Sequence, residues 1–489
     1  MITDAINLLI ICIFAFIPLL LGERARNLSA GSAEDFILQS RRLKLFPMYA
    51  TVFATWMSAF AFMGGITYFF EQGPIYMTTV GWDMLFAVLF ILIGRRVWHY
   101  GKTNGYMTAA DFFDDLFRLP ALTAVVTAIT ILCTMLYLQA QIAGAVLVIR
   151  VGTDGVISTE MGGLIFFSIL VIYLWAGGLR AVAMTDVFYG IMIVTAMIGA
   201  GIFLIVTAGG VSSVFEEIIR NDPRDVSIPI AAGKNRIAMW VALFIIVPTG
   251  AFMGPQMWIR NYAAGSAKHF LVLPLLLGLS SIICIGTMFS GSAGIVLTGG
   301  TAHSDAVIID LMREYANPYF YVFVIAGIFA AIFSTANSQV HALAAVYTID
   351  VHRRYLNDKL PDRRILSLAK TAVLLLSVLS WILMILLPQK IFDLSILGMG
   401  GLAQLIVPVL GALFWKRSSG KAALAGILAG ELAFIGLLAG TDLDASICGL
   451  IALGANGAVF LIFSLLMAPN PQTVRRIGSY RKEFLSREY

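Results

Sequence analysis

The feature that most constrains this chain is a succession of apolar runs, each about as long as a bilayer is thick. A helix crossing a bilayer needs about 20 mostly apolar residues, and only helices or closed barrels satisfy their backbone polar groups in lipid. The runs are uninterrupted, which excludes a barrel, whose strands would alternate at every second residue. About thirteen spans are expected, at roughly 4–22, 47–72, 80–98, 120–150, 160–177, 184–208, 237–260, 268–291, 318–347, 366–388, 391–415, 421–440 and 445–468. The fold class is therefore all-α integral membrane. Composition agrees: 59% of the 489 residues are hydrophobic and 12% charged, about half the charge an ordinary soluble surface carries. This argues against a soluble enzyme, a disordered chain and a nucleic-acid binder. Four cysteines, Cys12, Cys133, Cys284 and Cys448, all fall inside spans without paired spacing and read as small apolar residues of the bundle.

The charges orient the chain. The first span opens on Asp4 rather than a basic segment and lacks a small-x-small cleavage site, so a retained helix is expected. Thirteen spans place the termini on opposite sides. With the N-terminus outside and the C-terminus cytoplasmic, inside segments hold all the Lys and Arg except Arg150, Arg220, Arg224, Lys234, Arg236, Arg313 and Lys390. Arg260 and Lys268 count among the inside charges after the seventh span. The net charge of +5 is thus an orientation signal rather than a sign of anionic partners, and the basic tail reads as a lipid-contacting segment.

Polar residues inside apolar spans are expensive, so their positions are informative. In the second span, Ala54-Thr55-Trp56-Met57-Ser58-Ala59-Phe60 runs into Gly64-Gly65, a mixture suited either to a discontinuous helix at a binding site or to close helix packing. In the seventh, Pro248, Gly250, Gly254 and Pro255 make a continuous helix unfavourable. These two spans are five apart, as the first members of two five-helix repeats would be. In the ninth, Ser334, Thr335, Asn337 and Ser338 crowd one region; their oxygens suit a hard cation, or simply bond back to the preceding turn.

Several motifs in order then resemble the sodium:solute symporter family over nearly the whole chain. They are Gly177-Gly178-Leu179-Arg180-Ala181-Val182-Ala183-Met184-Thr185-Asp186-Val187, Tyr137-Leu138-Gln139-Ala140-Gln141-Ile142-Ala143-Gly144, Thr108-Ala109-Ala110-Asp111-Phe112-Phe113, and the Ala-Ala-x-x-Ser-Thr ending at Thr335. The resemblance implies a ten-helix core of two inverted five-helix repeats with discontinuous first and sixth core helices. An extra N-terminal helix and loop (1–46) precede the repeats (47–208 and 237–415), which an external loop (209–236) separates. Two additional helices (416–468) and a basic tail (469–489) follow. It implies sodium as the coupling ion, held by the carbonyls of Ala54, Met57 and Ala331 and the hydroxyls of Ser334 and Thr335. A second sodium in some relatives maps onto Asp186, Ser334, Asn337 and Ser338.

The family's solute pocket maps onto Trp56, Ser58, Phe60, Tyr137, Gln141, Thr249, Phe252 and Gln256. Trp56 stands where proline-transporting relatives carry an aspartate, which argues against proline itself. No Arg or Lys falls in these stretches, so a small monocarboxylate, an amino acid or a pantothenate-like solute is expected, moving inward with sodium. Alternatives are proton coupling through Asp186 or His341, and a transporter-like sensor with a separate signalling partner, since the sequence runs only about twenty residues past the last span. No organic cofactor, nucleic acid or obligate protein partner is implied beyond solute, sodium and membrane lipids.

Overall fold

The computed structural model describes residues 16–153, 155–226, 234–300, 305–357, 359–386, 391–468 and 471–486. Among the described residues it is helical, with no strand and one isolated bridge between Leu43 and Ala264. The expected first span lies largely outside the described residues, which pick up a helix over 16–27. Helices lie in order at the positions of the other expected spans, of which Thr159–Ile172 is shorter than a straight bilayer crossing needs. They are α1 (Leu45–Trp56) with α2 (Phe60–Gln72), α3 (Trp82–Asn104), α4 (Pro120–Gly152), α5 (Thr159–Ile172), α6 (Gly177–Thr207), α7 (Ile237–Met253) with α8 (Pro255–Ala263), α9 (His269–Thr298), α10 (Pro318–Leu356), α11 (Asp362–Leu386), α12 (Ile391–Phe414), α13 (Gly420–Gly440) and α14 (Ala445–Leu466).

The helix ends follow local chemistry. Ser158, Asn317, Ser419 and Asp444 each accept a backbone N–H at a helix start. Thr108 and Asp111 form a capping box on the short helix Ala109–Phe117. At the junction of α5 and α6, Gly178 sits at φ +54°. A Cβ there would lie 2.4 Å from the carbonyl oxygen of Phe36, so only glycine permits the chain to turn against the helix Ala33–Leu38.

Both expected discontinuities are present: α1 and α2 meet at 53°, and α7 and α8 at 58°. The second break differs from a kink at the first proline. Pro248 is accommodated inside α7, and the chain bends at Gly254, with Pro255 opening α8, where its missing N–H leaves no helical bond unmade. α10 and α12 are buried along most of their length, whereas α13 and α14 pair with each other at the periphery. α10 packs against α1, α4, α6 and α8, and α12 against α4 and α7. Exposed apolar side chains such as Leu432, Ile435 and Leu466 face outward, where lipid replaces water as the solvent.

Candidate functional site

The first break releases two carbonyls. In a continuous helix the N–H groups of Ser58 and Ala59 would bond the carbonyls of Ala54 and Thr55. Instead Ser58 N–H closes a tight turn onto Trp56 O at 3.0 Å, with Met57 at its centre (φ −80°, ψ 71°), the geometry of an inverse γ-turn. Ala59 N–H donates to Gln141 Oε1 at 3.0 Å. The freed carbonyls are met from α10: Ser334 Oγ donates to Ala54 O at 2.8 Å and Thr335 Oγ1 to Thr55 O at 2.9 Å. Both hydroxyls also reach Ala331 O, at 3.0 and 3.2 Å. Five oxygens from two helices therefore meet at one buried point. Of the expected sodium ligands, Ala54, Ala331, Ser334 and Thr335 converge and Met57 forms the turn. Thr55, whose carbonyl takes part, is one the sequence reading passed over.

Asp186, Asn337 and Ser338 divide. Asp186 Oδ2 accepts from Thr51 Oγ1 at 2.5 Å and lies 3.6 Å from Nη2 of Arg260. That guanidinium, 1% exposed, also donates to Thr51 Oγ1, Thr55 Oγ1 and Ser338 Oγ, at 2.7, 2.8 and 2.5 Å through Nη2, and to Gln256 O through Nη1. Arg260, counted from the sequence as a charge at the end of the seventh span, is thus a buried cation within the core. It already holds Asp186 and Ser338. Asn337 is not joined to them, and neither of its amide atoms has a partner among the described residues.

The residues expected to line a solute pocket also separate. Trp56 and Phe60 border a small cavity of about 30 Å³ whose wall includes Tyr76, Trp82, Asp83 and Cys284. Ser58, Tyr137 and Gln141 brace the break beside it: Tyr137 Oη donates to Ser58 Oγ at 3.4 Å and Ser58 Oγ accepts Phe60 N–H at 3.2 Å. Phe252 packs edge-on against Phe86 and Phe90 of α3. Thr249 is buried in α7 outside the cavity wall, and Gln256 is drawn to Arg260 through its carbonyl. Asp83, which the sequence reading did not single out, receives Trp56 Nε1–H at 2.8 Å.

One end of this core is closed by the helix Ala33–Leu38. Phe36 O pairs with His341 Nε2 at 2.9 Å, and Arg180 of the signature motif pairs with Asp35 at 2.9 Å. At the same end Arg354 bridges Asp111 at 2.7 Å and Asp114 at 2.8 Å, while Arg476 of the tail helix Pro471–Ser486 pairs with Asp115.

A family model described as sodium:solute symporter family matches residues 36–430. The osmoregulated proline transporter of Bacillus subtilis is 25% identical over 81% of this chain and 81% of its own length. The sodium/pantothenate symporter of Haemophilus influenzae is 25% identical over 82% and 83%, and the monocarboxylate transport permease of Rhizobium johnstonii is 26% identical over 85% and 86%. In structure, a Na+-coupled sialic acid symporter, substrate-bound and outward-open, superposes with a TM-score of 0.82 at 19% identity, covering 95% of this chain and 98% of that one. Such a likeness carries the fold rather than the solute. With four-fifths of its length matched by one family model and the expected breaks in place, this chain is a member of the sodium:solute symporter family.

Proposed function

We propose that the protein carries a small organic solute into the cell together with sodium, by alternating access, with the ion held between the broken α1–α2 helix and α10. The observation that carries this reading is the pair of carbonyls, Ala54 O and Thr55 O, freed from the helical ladder and faced by the Ser334 and Thr335 hydroxyls. Both hydroxyls can rotate to present lone pairs to an ion, and carbonyl plus hydroxyl oxygens make a hard shell that suits sodium. We assign Ala54, Met57, Ala331, Ser334 and Thr335 to the ion, with Thr55 beside them. A second ion at Asp186, Asn337 and Ser338 requires Arg260 to leave those oxygens first.

Coupling is a linkage: sodium and solute each raise the other's affinity by the same factor. The membrane potential then adds about 2.3 kcal/mol per charge per 100 mV to the sodium gradient. The positive-inside count supports an external N-terminus and a cytoplasmic C-terminus, which puts the Phe36, Arg180 and Arg354 contacts at the cytoplasmic end. The bent pairs begin repeats that we assign to 47–208 and 237–415. The relatives named for proline, pantothenate and monocarboxylates support a solute of that size, bordered by Trp56 and Phe60. Proteoliposome uptake of these solutes under a sodium gradient at fixed pH tests the reading against a pH gradient without sodium. Uptake is expected only with the former; uptake driven by the pH gradient alone overturns it in favour of proton coupling.

A further inference from the structure

Among the described residues four aspartates are almost completely buried: Asp35, Asp83, Asp186 and Asp350. Three face a guanidinium, Asp35 that of Arg180 at 2.9 Å, Asp186 that of Arg260 at 3.6 Å and Asp350 that of Arg354 at 3.9 Å. Asp83 is the exception. Its Oδ1 accepts Trp56 Nε1–H at 2.8 Å, its Oδ2 has Cys284 Sγ at 3.7 Å, a weak donor, and the side chains of Ser281 and Trp82 also stand against the carboxylate, so its neighbours are neutral donors rather than a cation. Among the described residues, the wall of the cavity that Asp83 borders has no Lys, Arg or His. A buried carboxylate without a counter-charge is costly, and one that borders a cavity has its natural partner in whatever enters that cavity.

The rest of the wall says what kind of cation fits. Trp56, Phe60, Phe69, Tyr76 and Trp82 supply aromatic rings, and Met57 and Met399 supply thioethers. The Trp56 indole is stacked on Phe86 at 4.2 Å with an 8° interplanar angle, which fixes the N–H toward Asp83. Thr287, the wall's one hydroxyl on α9, already donates to Cys284 O at 2.8 Å. A hard metal cation would find one carboxylate and little other oxygen here. An alkylammonium, whose charge is spread over C–H groups, is suited to an aromatic wall with one carboxylate.

We propose that Asp83 is the anionic contact for a positively charged nitrogen on the transported solute, so that the solute is an ammonium-bearing small molecule such as an amino acid or a methylated amine. This rests on the cavity being the solute site of the sodium-coupled transporter proposed above. Asp83→Gln would add bulk, whereas Asp83→Asn keeps the shape and an acceptor for Trp56 while removing the charge.

The test is thermal stabilisation of the purified full-length protein, wild type and D83N, by L-proline, L-alanine and glycine betaine, against propionate and lactate, each in sodium and in potassium. At least one ammonium probe is expected to stabilise the wild type, with its apparent affinity falling about tenfold or more in D83N, a loss of about 1.4 kcal/mol or more. Ammonium probes that bind both forms alike, or propionate or lactate that stabilises both forms alike, overturn the assignment of Asp83. The sodium comparison separates the two proposals. Binding that is lost in D83N but indifferent to potassium leaves Asp83 standing and removes the coupling; sodium-dependent binding of propionate unaffected by D83N does the reverse. Should D83N fail to fold, carbodiimide labelling of Asp83 in the wild type, read by mass spectrometry, decides: slowing by an ammonium probe supports the contact, and an unchanged rate overturns it.

Discussion

Nη2 of Arg260 stands 3.6 Å from Oδ2 of Asp186, and neither side chain reaches solvent. Thr51 joins them, donating to Asp186 at 2.5 Å and accepting from Arg260 at 2.7 Å. The pair links α6 and α8 through Thr51 of α1, about one helical turn before the freed carbonyls of Ala54 and Thr55. A covalently tethered cation thus sits among Thr51, Thr55, Asp186 and Ser338, oxygens that a free ion would otherwise have to satisfy.

Breaking a buried ion pair by removing one partner leaves an uncompensated charge and typically costs about 3–5 kcal/mol. Arg260→Gln is therefore expected to lower thermal stability in detergent sharply, and Asp186→Asn to do so by a comparable amount. The double substitution should recover part of the loss, because neither charge is then orphaned. A double-mutant cycle on melting temperature measures this; strictly additive losses would show that the two side chains are not coupled. Arg260→Lys should not rescue, since an ammonium cannot reach Thr51, Thr55, Ser338 and Gln256 O together as the guanidinium fork does.

Ser334 and Thr335 each join α10 to one freed carbonyl of α1. Ser334→Ala and Thr335→Ala each remove one oxygen from the proposed ion shell while leaving a small side chain that packs. Each is expected to raise the sodium concentration for half-maximal uptake by about tenfold or more, corresponding to about 1.4 kcal/mol, with smaller change in the solute dependence at saturating sodium. Thr335→Ser, which keeps the hydroxyl, should remain near the wild type. Sodium titrations of uptake in proteoliposomes check this. Two alanine variants with unaltered sodium dependence would remove the proposed site.

At the Arg180 end, burial by itself pushes the Asp35 carboxyl up, but donors from Ser40, Ala30 N–H and Ser29 together with the Arg180 charge outweigh it and hold it below the ordinary value of 3.8. A depressed native value means that the unfolded chain binds a proton more readily than the native one in acid, so stability rises with pH across that window. The contribution is fully present above the unfolded value and fades as pH falls through the lower native one. Asp35→Asn is expected to destabilise the protein at neutral pH and to flatten the dependence of melting temperature on pH below about 5. A variant with the wild-type acid slope would assign that slope to other carboxylates.

The apolar spans and the second discontinuity could be read from the chain because apolar length, Gly254 and Pro255 act locally. The first break came instead from the family resemblance: it falls at Met57, and the paired Gly64 and Gly65 lie within the helix that follows. The convergence of Ser334 and Thr335 on the first break came from the family motif, since nothing in the local pattern of α10 says which helix its hydroxyls meet. Asp83 and Arg260 were not legible for a related reason. Asp83 lies in the first turn of α3, where an acidic residue ordinarily complements the helix dipole; only the tertiary approach of Trp56 turns it into a cavity wall. Arg260 lies near the end of α8 and looked like an interfacial charge until the 58° bend carried that helix inward, against α1 and α10.

The bent pairs are held close to their neighbours by glycines whose replacement separates packing from helix propensity. A Cβ at Gly250 of α7 would lie 2.1 Å from Met399 O of α12, a backbone atom that cannot step aside. Gly250→Ala must therefore push α7 and α12 apart beside the cavity, where Met399 is part of the wall, and a loss of both stability and uptake is expected. Gly436 of α13 and Gly457 of α14 have no atom within 4 Å of the corresponding position. There alanine adds no clash and restricts the unfolded chain, so each substitution should leave uptake intact and stabilise by about 0.5–1 kcal/mol. Melting temperatures and uptake of the three variants, measured side by side, check the contrast. A Gly250→Ala protein as stable and active as Gly436→Ala would show that the α7–α12 contact is looser than 2.1 Å implies.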